Sequence, residues 1–224
     1  MKNINYEKIS SNIEKQLNIL FKELHFGIDA REDSRAFGAM IEKKITNNWE
    51  KVCKELGYKP IKLPGKRTIY DFACLIDGKI FGFDVKTKDL GKTKYSDGGV
   101  CAVGNLFKYM ANDNGTFLVV EVGHNQSELT ETRDIEYIRV APFHCLPPEI
   151  YRIENLGTGQ VRLNDTIKNV WTKIAWKRSN SEFFDVFSDL ALVHYKRVET
   201  VSHKRIDSII LFKQKKYEHF KFIK

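Results

Sequence analysis

The chain has 224 residues, of which 42% are hydrophobic and 29% charged, so it has the make-up of a globule with a substantial core rather than a disordered or collagen-like chain. Lys and Arg number 37 against 29 Asp and Glu, a net charge of +8, and the isoelectric point is near 9.2. That surplus favours a polyanionic partner, most simply nucleic acid.

Lys2, Glu7, Lys8, Glu14 and Lys15 leave no room for a signal peptide near the start of the sequence. No apolar run approaches the roughly 18 residues of a membrane span, so no membrane is expected. Ile9, Ile13, Leu17, Leu20, Phe21 and Leu24 recur at helical spacing. A second helix is expected from an Asp33 or Ser34 cap to Gly57, with Phe37, Ile41, Ile45, Val52 and Leu56 as its core stripe.

From Thr68 the period becomes two. Residues 68–76 and 79–86 read as strands joined by Asp77-Gly78, a strong signal for a two-residue hairpin. A polar loop is expected from Lys88 to Gly99, then a helix over 101–111 and buried strands over 116–122 and 135–141. Gly157 and Gly159 suggest a further hairpin within 150–164, and 181–213 reads as helix. Strands alternating with helices predict an α/β fold around a mixed sheet.

The first hairpin carries the chemistry. A two-residue turn sets Ile76 against Lys79 and Leu75 against Ile80, and counting outward brings Asp71 opposite Asp84. Two carboxylates so placed repel, and a divalent cation removes the repulsion by taking both as hard oxygen ligands. Lys86, two residues on, points to the same face. Such a site suits phosphodiester hydrolysis, in which the metal activates water and the lysine orients that water or takes its proton if its pKa is depressed. The same pattern fits a solvated hairpin face, but the apolar neighbours (Ile69, Phe72, Leu75, Ile80, Phe81, Phe83, Val85) make unpartnered charges costly.

Asp71 followed by Asp84-Val85-Lys86, in the run F-D-V-K-T-K, resembles the PD-(D/E)-x-K nuclease superfamily and within it the type II restriction endonucleases. The stretch 35–122 is similar in layout to their EcoRV-like, blunt-cutting branch. Tyr70 stands where that pattern has proline. The resemblance implies a restriction-endonuclease-like core, a mixed sheet flanked by helices, with Mg²⁺ held by Asp71, Asp84 and the main-chain oxygen of Val85. Glu42, one helical turn beyond Gly38, is the candidate third catalytic acid beside Asp71, Asp84 and Lys86. An ordinary exposed helix glutamate fits Glu42 as well. One endonuclease domain over 1–224 is expected: mainly helical to 60, catalytic over 61–125, and DNA-recognising with a helical end over 126–224.

Lys88, Lys92 and Lys94 are candidates for phosphate contacts, and Tyr95, Ser96 and Asn105 for sugars or base edges. Gln160, Arg162 and Asn164 carry the amide and guanidinium groups that read adenine and guanine. Either set also fits an ordinary surface loop. Gly91-Lys92-Thr93 is not a phosphate loop, because Lys86 stands where that motif needs glycine. The six histidines form no metal-ligand spacing, no G-x-S-x-G is present, and the four scattered cysteines suggest reduced thiols.

The expected activity is Mg²⁺-dependent, sequence-specific cleavage of double-stranded DNA by a cytoplasmic prokaryotic homodimer, two-fold protein symmetry matching a palindromic site. The alternatives are a structure-selective or repair nuclease on the same fold, and a non-catalytic nucleic-acid-binding module whose acidic pair is structural.

Overall fold

The computed structural model describes residues 4–23, 34–62, 68–91, 99–112, 115–126, 133–155 and 159–214. Its centre is a five-stranded sheet of order β1-β2-β3-β5-β6, built from Lys59–Ile61, Phe72–Ile76, Lys79–Asp89, Thr116–Gln126 and Arg133–Pro142. The β3–β5 pair is parallel and every other neighbour antiparallel, so the expected α/β class with a mixed sheet flanked by helices is what the chain adopts.

Alternation along β3 sends Phe81, Phe83 and Val85 to one face of the sheet, where α1 (Tyr6–Glu23) and α2 (Ser34–Leu56) cover them. The stripe Ile9, Ile13, Leu17, Leu20 and Phe21 buries one side of α1. On α2 the expected stripe of Phe37, Ile41, Ile45 and Val52 is buried, joined by Trp49 and Cys53, while Leu56 is partly covered. The Trp49 indole donates to the Ala73 carbonyl at 2.8 Å, tying helix to sheet. Each such fully buried large apolar side chain contributes roughly 1.5–3 kcal/mol.

Gly57 stops α2 as expected. Its φ of +69°, with Tyr58 N–H on the Cys53 carbonyl and Gly57 N–H on the Lys54 carbonyl, closes the helix by satisfying its last carbonyls.

The opposite face of the sheet holds a second core. It is built from Phe117, Val119, Ala141, Phe143 and the inner sides of a small antiparallel sheet, order β4-β8-β7 (Cys101–Ala102, Gln160–Leu163, Tyr151–Glu154). Helices α3 (Val103–Phe107), α4 (Ile167–Val170) and α5 (Asn180–Gln214) complete this layer. Ser179 and Glu182 cap α5 reciprocally, at 2.7 and 3.2 Å.

Several expectations are corrected. β1 carried no alternation that would mark it, because only three residues add to the β2 edge. β2 starts at Phe72 rather than Thr68. β3 runs to Asp89 instead of stopping at Lys86, since pairing with β5 continues through Lys88↔Gly123 and Asp89↔His124. The helix expected over 101–111 is divided into β4, α3 and a π-helical turn at Lys108–Asn112.

His144 lies fully buried against the ring of Tyr6, 4.8 Å between centroids. Burial, helped by nearby Arg178, pushes its pKa down to about 4. A histidine depressed in the folded state contributes stability above its ordinary value of 6.5, and that stability is lost as pH falls toward 4. Denaturant titrations at pH 7 and 4.5 should show His144→Leu losing about 2 kcal/mol less than the wild type over this interval.

Candidate active site

The turn that opens the site forms as expected. Asp77 and Gly78 both take positive φ, 49° and 81°, the geometry of a two-residue hairpin whose twist matches its strands. The register Ile76↔Lys79 and Leu75↔Ile80 follows and holds as far as Phe72↔Phe83.

There the ladder ends. Asp71 sits in a bend before β2, and its N–H donates to the Phe83 carbonyl at 2.8 Å instead of taking a regular place opposite Asp84. The cause is Tyr70, whose ring occupies the space a Cβ would need on Gly82, so the chain is held off the strand. Asp71 still reaches β3: its Oδ2 accepts the Val85 N–H at 2.7 Å.

On β3, Asp84, Lys86 and Lys88 alternate onto the face away from α1 and α2. Asp84 is only 5% exposed. The Lys86 ammonium donates to its Oδ1 at 2.9 Å and stands 2.8 Å from Oδ2. Oδ2 is buried, and the Lys86 ammonium is the group it faces.

Glu42 approaches from α2. Gly38, one turn earlier, leaves only 3.1 Å between its ideal Cβ position and the Thr87 Oγ1, so the helix lies close on β3. The neighbour that glycine admits is a threonine side chain rather than backbone. Glu42 itself is exposed, near enough to Asp71 and Lys86 to feel both charges.

The electrostatics show an excess of negative charge. Burial pushes the Asp84 carboxyl up to about 7; Lys86 opposes the rise, while Asp71 and Glu42 add to it. Burial raises Asp71 as well, partly offset by the Val85 N–H and Lys86. Glu42 is raised by burial and by Asp71. Burial alone would lower Lys86, but Asp84 and Asp71 carry it above the ordinary lysine value. Lys86 is therefore an ammonium at neutral pH.

Among the described residues no three His, Cys, Asp or Glu side chains group as a metal-holding set. Glu42 thus does not join Asp71 and Asp84 in one cluster. The expected ligand set needs only two carboxylates and the Val85 carbonyl, and the chemistry of these groups fits it: hard oxygens and a surplus of negative charge around a buried carboxylate.

Glu121 is a further buried carboxylate beside the candidate site. It pairs with Lys86 across the parallel ladder. Its oxygens accept the Tyr137 hydroxyl at 3.0 Å and the Ile167 and Lys168 N–H groups at 2.9 and 3.3 Å. It therefore anchors α4 to the strand beside the candidate site. A lone acid in the apolar run T-F-L-V-V-E-V was the available signal.

The expected DNA contacts separate. Lys88 is 4% exposed, buried in β3 with its charge acting on Glu121, so it is not the surface phosphate contact expected. Lys92, Lys94, Tyr95 and Ser96 lie outside the described residues. Asn105 is exposed on α3. The Gln160 side chain lies over Gly99. Arg162 pairs with Glu154 at 3.0 Å, and the Asn164 amide donates to the Glu149 carbonyl at 3.3 Å.

No known family matches this chain, and no curated protein matches it significantly.

A carboxyl raised by folding contributes stability below its unfolded value of 3.8 and loses it as pH rises through about 7. Relative to Asp84→Asn, the wild type should lose roughly 3–4 kcal/mol between pH 4 and 8. Thermal melts of both proteins across that range check this, and equal slopes would contradict it.

Proposed function

We propose that this chain is a Mg²⁺-dependent DNA endonuclease of the PD-(D/E)-x-K kind, and within it a type II restriction enzyme acting as a homodimer on double-stranded DNA. The observation that carries the reading is Asp84: a buried carboxylate on a central strand, ion-paired with Lys86 at 2.8 Å and raised in pKa by burial and then by Asp71 and Glu42. Such a group is costly to keep unless a cation completes it. The basic balance of +8 supports a polyanionic substrate.

Asp71, Asp84 and the Val85 carbonyl would hold the ion. Bound magnesium supplies a polarised phosphoryl group and a water of lowered pKa. Lys86, held as an ammonium, faces the negative charge that accumulates on the phosphoryl oxygens. Glu42, whose pKa burial and Asp71 raise, is the further acid from α2 that this reading assigns to the site. Asp71 fixes the main chain of β3 through the Val85 N–H, which keeps the carbonyl and both carboxylates in one arrangement. Among the described residues no helix is long and apolar enough to cross a membrane.

Incubation of a DNA of known sequence with Mg²⁺ is the direct test. Discrete fragments are expected. Nicking confined to branched or distorted DNA would favour a structure-selective nuclease, and absence of any metal-dependent cutting would overturn the enzyme reading. Lys86→Ala should slow cutting by about 10²-fold or more while leaving duplex binding in Ca²⁺ within a few-fold of wild type. Joint loss of binding and cutting would assign Lys86 a folding role instead.

A further inference from the structure

We propose that the outer face of α5 is the interface between two copies of this chain, packed antiparallel about a two-fold axis at the level of Val201. This rests on the homodimer of the endonuclease reading and says which surface makes it.

Helix α5 is anchored along one side only. Phe183, Phe187, Ala191 and His194 are buried, the first three of them in the second core. The side turned away from that core stays open, and Leu192, Ile206 and Ile210 lie on it, exposed by 56%, 52% and 48%. Scattered apolar residues on a surface are ordinary, but these three belong to a regular stripe. Positions 189, 192, 196, 199, 203, 206, 210 and 213 follow one another by three and four residues in strict alternation, the spacing of a coiled-coil seam. Every one of them is exposed.

The seam reads Asp-Leu-Lys-Glu-His-Ile-Ile-Lys and is complementary to itself in one direction. With a second copy turned end over end about Val201, Asp189 meets the partner's Lys213 and Leu192 meets the partner's Ile210. Lys196 lays its methylene stem along the partner's Ile206. At the axis Glu199 meets the partner's His203, two residues that already lie 3.9 Å apart within one helix. The symmetry makes each of these contacts twice. A parallel pairing would instead set aspartate on aspartate, lysine on lysine and glutamate on glutamate, and like charges so placed repel. The ends of α5 differ in charge as well: Glu182, Asp185 and Asp189 stand near its start, and Lys204, Arg205 and Lys213, with Asp207 among them, near its end. The seam from Asp189 to Lys213 extends roughly 36 Å at the rise of an α-helix.

The test is sedimentation equilibrium of the full chain, without DNA or metal, across micromolar concentrations. The wild type should be a reversible dimer. Leu192→Glu should be monomeric over the same range, because a carboxylate would then be desolvated against the partner's Ile210 twice per dimer. Asp189→Lys and Lys213→Asp should each raise the dissociation constant by roughly tenfold, since each creates two like-charge pairs. The double variant Asp189→Lys/Lys213→Asp should recover the wild-type constant. The two positions lie too far apart on one helix to compensate within a copy, so recovery reports the antiparallel register. Wild-type helix content and melting temperature of the monomer establish that the variants fold. A wild-type protein that stays monomeric overturns the interface and the homodimer with it. A wild-type dimer unmoved by Leu192→Glu, or single charge variants that the double variant does not rescue, overturns this face alone. Absence of metal-dependent DNA cutting by a protein that still dimerises in this way overturns the endonuclease reading and leaves the interface standing.

Discussion

The buried ion pair of Asp84 and Lys86 is the constraint around which this molecule is arranged. A carboxylate in the middle of a central strand is expensive to desolvate, and one ammonium 2.8 Å away repays only part of that cost when Asp71 and Glu42 add negative charge nearby. The strand tolerates it because the remaining framework is so apolar. Phe81 and Phe83 beneath it, and Phe117 and Val119 on the neighbouring strand, are fully buried and hold β3 where the charges need it. Stability is concentrated in the two cores, and the charged strip between them is the strained component.

Close approaches permitted by small residues then assemble the site from three separate segments. Gly38 brings α2 down onto Thr87 of β3. Gly82 receives the ring of Tyr70, which lifts Asp71 out of the ladder and lets its carboxylate bond to the Val85 N–H. Gly123 receives the ring of Tyr137, whose hydroxyl reaches Glu121 and through it the start of α4. In each case a missing side chain on one element makes room for a group from another. A methyl group at any of these positions would have to displace its neighbour.

The second layer serves a different need. Its small sheet turns apolar residues toward the shared core and a charged row outward, so the same alternation that stabilises the hairpin also displays Arg152, Glu154 and Arg162. Glu121 couples this layer to the central sheet by capping α4 from β5. One buried carboxylate thus joins the two sheets.

Local rules were enough for the elements and for the hairpin. Asp77-Gly78 dictates its turn and the first pairs of its register, the apolar stripes of α1 and α2 dictate their buried faces, and Gly57 dictates where α2 ends, because each depends on residues a few positions apart. The alternation of Asp84 and Lys86 onto one face was legible for the same reason. Three things depended on contacts distant in sequence. The departure of Asp71 from the ladder needed Tyr70 on Gly82. The contribution of Asp71 to the raised pKa of Lys86 needed a carboxylate from outside β3. The burial of Lys88 needed β3 to extend along β5, beyond the point where its own composition suggested a loop. Sequence fixes which side chains can share a face, since backbone periodicity is local; which charges end up shielded from water is decided only when whole layers close over them.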